Sequence, residues 1–145
     1  MRKALQVYLE DGQMGRRELR EQIFKLLFRI EFNDASEMPE QQKLFFEDNE
    51  KTVSEVDEMY ISKKYENIVE KRLQIDNALN DVAEGWKTER MGKVDLTILR
   101  LAVFEIRYDD EVPTSVAINE AVELAKKFGQ DASPAFINGI LAKFA

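Results

Sequence analysis

The chain contains neither cysteine nor histidine. Without cysteine it can form no disulfide, thiolate nucleophile or cysteine-ligated metal site, and it suits a reducing compartment. Without histidine it lacks the commonest general base and a frequent metal ligand, which disfavours catalysis of the serine–histidine kind. We therefore expect a cytoplasmic protein that is not an enzyme and that uses no cofactor.

Proline and glycine are also scarce, with three and six residues among 145, whereas 34% of the residues are charged. This composition favours a helical protein over an all-β one. The length predicts one domain, or two small domains that share an interface. No apolar run approaches the roughly 20 residues that span a bilayer, and residues 1–5 lack the apolar stretch of a signal peptide. We expect no contact with a membrane.

The net charge of −7 argues at first against nucleic-acid binding, but the charges are unevenly distributed. Residues 1–30 contain seven Lys/Arg and four Asp/Glu, whereas residues 31–60 contain two and ten. Local patches rather than the total charge determine where a phosphate binds. The charge distribution fits either a polarised chain, whose basic end can bind phosphate beside an acidic segment, or two ordinary solvated faces that bind no ligand.

Apolar residues recur at the spacing of a helix face along the chain, and the pattern predicts about seven helices and no strand. The first helix is predicted over residues 16–32. The periodic region over residues 59–86 is predicted as two helices broken near residues 74–76. The other predicted helices span approximately residues 39–48, 95–108, 115–128 and 133–145.

Several polar and small residues within these helices are predicted to have structural roles. Asn119 and Asn138 are expected to be buried amides that connect helices. Gly139, inside the last helix, is expected to permit the close approach of a neighbouring helix. Arg100 lies between two leucines and is expected to be a buried ion-pair partner of Glu120 or Glu123.

The first predicted helix has a second, aromatic side. Phe24, Phe28 and Phe32 are four residues apart, so they form a stripe separate from the main apolar stripe of this helix, which consists of Leu19, Ile23, Leu26, Leu27 and Ile30. The three arginines within residues 16–20 lie near the helix start, outside the main apolar stripe. Guanidinium groups match phosphate oxygens and aromatic faces stack on unpaired bases, which favours a single-stranded RNA site. The alternative is that the phenylalanines are core residues between two packed layers.

These arginines are unfavourable for the helix itself. Positive charges at a helix N-terminus oppose the macrodipole, and Glu18 and Glu21 offset this effect only partly. A local mismatch of this kind indicates that the arginines serve a ligand outside the fold.

Four stretches of the sequence are distinctive. Residues 112–129 (VPTSVAINEAVELAKKFG) and 136–141 (FINGIL) contain the most specific blocks, and these resemble the NusB transcription antitermination family. Residues 94–106 (VDLTILRLAVFEI) resemble the central helix of that family, and residues 16–20 (RRELR) resemble its arginine-rich amino end. The resemblance implies an RNA-binding domain over residues 14–145, preceded by an extension or alternative start over residues 1–13.

The resemblance implies an all-α fold in which two perpendicular three-helix subdomains are completed by the amino-terminal helix. It also implies binding of boxA RNA in nascent ribosomal transcripts together with NusE, a small ribosomal subunit protein, in the transcription elongation complex. A homodimer that hides the RNA face is compatible with the family. Two other classes stay open: a helical protein-interaction module without direct RNA binding, and the binding domain of an RNA-modifying enzyme.

The resemblance also implies which side chains bind RNA and protein. The residues that match RNA-contacting positions are Arg16, Arg17, Arg20 and Phe28 near the amino end, and Phe128, Gln130, Asp131 and Phe136 near the carboxyl end. Asp95 falls on the surface implied to contact NusE. The sequence departs from the family pattern at Ala132, where a second acid is frequent, and at Phe28, where tyrosine is frequent. No metal site is expected, because the consecutive acids at residues 109–111 point apart.

Overall fold

The computed structural model describes residues 14–49, 53–85 and 87–145. Within these ranges it contains seven α-helices and no strand, which confirms the all-α prediction. The helices are α1 Arg16–Phe28, α2 Met38–Glu47, α3 Glu55–Glu70, α4 Arg72–Val82, α5 Lys93–Tyr108, α6 Thr114–Phe128 and α7 Ser133–Ala142. The predicted extension over residues 1–13 lies outside the described residues. None of the helices described here is long and apolar enough to cross a membrane.

The chain divides into two compact units, Met1–Glu66 and Asn67–Ala145. The first unit contains α1, α2 and most of α3. Its core is formed by apolar side chains that recur at helical spacing on each of these helices: Ile23, Phe24, Leu26, Leu27, Met38, Phe45, Ile61 and Tyr65. A capping box between Asp34 and Glu37 stabilises the start of the 3-10 turn that leads into α2. Pro39 lies in the first turn of α2, where a backbone N–H would have no partner within the helix.

The second unit is built around α5. Every side chain of this helix from Leu96 to Glu105 is buried, so this part of α5 has no face exposed to solvent. Small residues of α6 allow it to pack closely, and α7 contributes branched side chains to the core. The buried residues of these two helices include Ala117, Ala121, Leu124, Ala125, Ile137, Ile140 and Leu141.

Arg100 is buried on α5, as predicted, and its described ion-pair partner is Asp76 of α4. The Arg100 Nε donates to Asp76 Oδ1 and its Nη2 donates to Asp76 Oδ2, both over 2.8 Å. This bidentate arrangement matches the planar guanidinium to the carboxylate, which is why an arginine is tolerated in an apolar helix. The prediction that Asn119 and Asn138 are buried is wrong, since both side chains are exposed. Each lies on the outward face of its helix.

Two helix boundaries differ from the predicted ones. The first helix ends at Phe28 and continues as a 3-10 turn over Arg29–Glu31, so the stripe of apolar residues extends beyond the α-helix. The predicted break near residues 74–76 lies at Lys71, whose N–H is shared between the carbonyl oxygens of residues 67 and 68 at 3.2 and 3.1 Å. Neither glycine nor proline marks this position, so the sequence had no local signal for it.

Candidate nucleic-acid interface

The amino end of α1 presents two arginines to solvent. Arg16 is the first residue of the helix, and both Arg16 and Arg17 are exposed. The preceding residue, Gly15, has no side chain with which to cap the helix. The backbone N–H groups of the first turn and the two guanidinium groups therefore form a positive end that suits an external phosphate.

Arg20 differs from its two neighbours because only 8% of its surface is exposed. The prediction that all three arginines lie outside the buried face of the helix is wrong for this residue. Arg20 precedes the buried Ile23 and Leu27 by three and seven residues, so it shares their face of α1. Replacing it would disturb the interior of the unit as well as any contact with RNA.

The three phenylalanines of the aromatic stripe pass from the core to the surface. Phe24 is buried, Phe28 is half-buried, and Phe32 is 62% exposed. The rings of Phe24 and Phe28 stack with centroids 6.0 Å apart, and Phe32 meets Phe28 edge-on at 5.1 Å. The core alternative is therefore correct for Phe24 alone. Phe32 belongs to this stripe but not to the residues that the family resemblance implies as RNA contacts, so its exposed ring is an additional candidate.

Contacts around Arg29 hold the aromatic end of α1 in place. The Arg29 guanidinium lies 5.2 Å from the centre of the Phe45 ring of α2. Its Nη1 donates to the side-chain oxygen of Gln41 over 3.1 Å, and Asn33 Nδ2 donates to the Arg29 carbonyl oxygen over 2.9 Å. These contacts fix the turn between Phe28 and Phe32, so the two outer rings are presented on an ordered segment.

The connection between α6 and α7, with the helix residues that flank it, contains the second predicted group. Gln130 and Asp131 are exposed, and Phe128 and Phe136 on either side are half-buried. Two hydrogen bonds close the loop: Gln130 N donates to Ser133 Oγ over 3.0 Å, and Ser133 N donates to the Gln130 carbonyl oxygen over 2.9 Å. The loop thus presents one amide and one carboxylate to solvent, and each of the two flanking helices has a half-buried phenylalanine.

Gly129 is required in this loop for space. A Cβ at residue 129 would lie 2.6 Å from Ser133 Cβ and 2.8 Å from the Ala125 carbonyl oxygen. Its φ of −92° is ordinary, so any residue could adopt the backbone conformation. The prediction that Gly139 permits the close approach of a neighbouring helix is wrong, since a Cβ there would meet nothing within 4 Å.

Lys127 is a basic residue beside the loop that the sequence interpretation did not include. Its Nζ lies 5.5 Å from the centre of the Phe128 ring. Cations in the last turn of a helix are favoured by the macrodipole, so Lys126 and Lys127 also have a local role there. Lys126 forms an ion pair with Glu123 at 3.3 Å. In the sequence, the two adjacent lysines were the feature that could have indicated a basic residue beside this loop.

Asp95, the predicted protein contact, lies in the first turn of α5 and is partly exposed. A negative charge at a helix N-terminus is favoured by the macrodipole, so this residue also stabilises its own helix. The structure places Arg16, Arg17 and Phe28 on one helix, where the backbone rises by roughly 18 Å from Arg16 to Phe28 at 1.5 Å per residue. Within the second unit, Phe128 ends α6, Phe136 lies in the first turns of α7, and Gln130 and Asp131 lie in the loop between the two helices.

A sequence model of the NusB family matches residues 17–145. The chain belongs to the NusB family. It is 52% identical over 134 residues to the transcription antitermination protein NusB of Agathobacter rectalis, which covers 91% of this chain and 100% of that protein. It is 53% identical to the protein of the same name from Lachnoclostridium phytofermentans over 90% of this chain and 98% of the relative.

Solved structures of the NusB family have the same fold as this chain. The NusB of T. maritima superposes with a TM-score of 0.78 at 31% identity and covers 91% of both chains. A complex of antitermination factors NusB and NusE with dsRNA contains a chain that superposes with a TM-score of 0.74 at 22% identity, covering 89% of this chain and 94% of that one. At this lower identity the likeness shows the fold alone.

Proposed function

We propose that this NusB-family protein is a transcription antitermination factor that binds boxA RNA of nascent ribosomal transcripts together with NusE. The observation that supports RNA binding best is the pair of exposed arginines at the start of α1, on the same helix as an aromatic stripe that reaches the surface. The solved complex that contains NusB, NusE and dsRNA motivates the choice of both partners. We assign the binding function to residues 14–145.

In this proposal each group of residues has a separate task. Arg16 and Arg17 contact phosphates, because their planar forks match phosphate oxygens. Arg20 is also proposed to contact RNA, but with only 8% of its surface exposed it contributes less than the two exposed arginines. Phe28 stacks on an unpaired base, which is worth about 1–3 kcal/mol per base.

The loop before α7 is proposed to contact bases, with the side chains of Gln130 and Asp131 as hydrogen-bonding groups and those of Phe128 and Phe136 as stacking surfaces. The amide can donate and accept, whereas the carboxylate only accepts, so Asp131 would select base amino groups and repel phosphate. Asp95 is proposed to contact NusE in the elongation complex. The net charge of −7 limits affinity for RNA alone, so we expect NusE to raise it.

The test is a fluorescence anisotropy titration of boxA RNA, with a scrambled RNA of equal length as the control, in the presence and absence of NusE. We expect weak binding alone and tighter binding with NusE. Because coupling between two ligands is reciprocal, RNA should raise the affinity for NusE by the same factor. An RNA affinity that stays constant across the NusE titration would contradict the proposal. Affinity that falls as protein concentration rises would indicate a homodimer that covers the RNA face.

A second candidate is a protein-interaction module without direct RNA binding. It is favoured by the acidic excess of residues 31–60, where the exposed side chains include Asp34, Glu37, Glu40, Glu47 and Asp48. This candidate predicts that boxA RNA fails to bind with or without NusE, while a basic protein binds in a salt-dependent manner. Neither candidate is an enzyme, so no turnover of nucleotides or RNA is expected.

A further inference from the structure

The start of α3 is fixed by a local hydrogen bond. Asp57 N donates to Ser54 Oγ over 3.1 Å, and Glu58 N donates to the Ser54 carbonyl oxygen over 2.8 Å. Ser54 directly precedes α3, so its hydroxyl acts as the N-cap group. Asp57 consequently lies in the first turn of α3, where the macrodipole of that helix favours a negative charge.

The carboxylate of Asp57 connects α3 to the segment that enters α1. Asp57 is 2% exposed, and its Oδ2 accepts a hydrogen bond from Met14 N over 3.1 Å, between residues 43 positions apart in the chain. A buried carboxylate is costly unless hydrogen bonds satisfy it. Met14 lies two residues before Arg16, so the bond holds the backbone immediately ahead of the arginine pair.

The charge of Asp57 has a second effect on the same helix end. Arg16 and Arg17 oppose the macrodipole of α1, and Gly15 provides no capping side chain. A buried negative charge from α3, hydrogen-bonded two residues before α1 begins, offsets part of this repulsion. The sequence shows the mismatch at the arginines, whereas the compensating residue lies on a different helix.

We infer that Asp57 is a positioning residue for RNA binding: its carboxylate holds the entry to α1 so that Arg16 and Arg17 are presented to phosphate. This inference rests on the proposed function, because it concerns the arginines assigned there. Asp57 itself is buried and does not contact RNA in this scheme. Its effect on RNA affinity therefore passes through the arginine pair.

The experiment compares Asp57→Ala, Asp57→Asn and the control Ile61→Val, a fully buried residue one turn along the same helix. We expect Asp57→Ala to weaken boxA RNA binding by about fivefold, the size of one lost hydrogen bond, because the backbone ahead of Arg16 is then no longer held. Asparagine retains an oxygen acceptor for Met14 N, so Asp57→Asn should fall between Asp57→Ala and the unmodified chain. The control should lower the melting temperature without changing RNA affinity. All affinities are measured at a temperature where each variant is fully folded.

The decisive step repeats Asp57→Ala and Asp57→Asn in a chain that already has Arg16→Ala and Arg17→Ala. If Asp57 acts through the arginines, neither change should then alter RNA affinity by more than about twofold, since the coupling partners are gone. An undiminished loss in the arginine-free chain would overturn the inference. If the arginine replacements alone leave affinity and salt dependence unchanged, the assignment of these arginines fails, and with it the inference.

A second measurement does not depend on RNA. Amide hydrogen exchange in the free protein should increase at residues 14–19 in Asp57→Ala, while α7 keeps its protection. Unchanged exchange at residues 14–19 would contradict the role of Asp57 as the anchor of this helix end. Should the alanine variant fail to fold, Asp57→Asn provides both measurements.

Discussion

Replacing Gly129 and Gly139 separately by alanine tests how the loop before α7 is packed. A Cβ at residue 129 would lie 2.6 Å from Ser133 Cβ and 2.7 Å from Ser133 Oγ, about 1 Å inside normal carbon contact. Ser133 Cβ and the Ala125 carbonyl oxygen belong to two helices and cannot rotate away. Overpacking of this kind costs about 1–3 kcal/mol. A rotated Ser133 hydroxyl would also leave Gln130 N without its acceptor, at about 1 kcal/mol.

We therefore expect Gly129→Ala to lower the free energy of unfolding by about 2–4 kcal/mol. Gly139→Ala is the matched control in the middle of α7. A Cβ there meets nothing within 4 Å, and alanine in a helix interior is favoured over glycine by roughly 0.5–1 kcal/mol. This control should therefore be more stable than the unmodified chain.

Urea unfolding followed by circular dichroism measures both changes, and the m-values show whether the unfolding transition stays the same. Ser133→Gly in the Gly129→Ala chain removes two of the three clashing atoms and should recover part of the lost stability. Equal effects at the two glycines, or a neutral Gly129→Ala, would refute this description of the loop.

Three other predictions concern the arginines, the phenylalanines and the buried ion pair. Arg16→Ala and Arg17→Ala should each change the free energy of unfolding by less than about 0.5 kcal/mol. Each should also reduce the slope of log affinity for RNA against log salt concentration by about 0.7 if it removes a phosphate contact. An unchanged slope in the double variant would contradict the assignment. Phe24→Ala should cost about 3–5 kcal/mol of stability, whereas Phe32→Ala should cost less than about 1 kcal/mol because the ring is exposed; equal melting temperatures would argue against the gradient of burial. Asp76→Ala should lower the free energy of unfolding by roughly 2–3 kcal/mol, since it leaves a buried guanidinium without its described partner. Comparing the thermal unfolding of Asp76→Ala with that of Asp76→Asn distinguishes the loss of the negative charge, which both variants share, from the loss of side-chain volume, which occurs in Asp76→Ala.

The helices of this protein could be predicted from the sequence because their signals are local. Apolar residues at three- and four-residue spacing place α1, α5 and α6 within a few residues of their observed positions. The blocks at residues 112–129 and 136–141 indicated the NusB family, which the family match confirms. The break at Lys71 was misplaced because no glycine or proline marks it, and shared hydrogen bonds decide it instead.

Only the tertiary structure decided which polar and aromatic side chains are available to a ligand. Arg20 and Arg17 have the same chemistry and lie one turn apart, yet packing buries one and exposes the other. The aromatic spacing is uniform, but Phe32 extends beyond the end of α1 and so remains at the surface. The bond from Met14 to Asp57 joins residues 43 positions apart. Periodicity along a chain describes one helix at a time, whereas burial and charge compensation depend on which helices pack together.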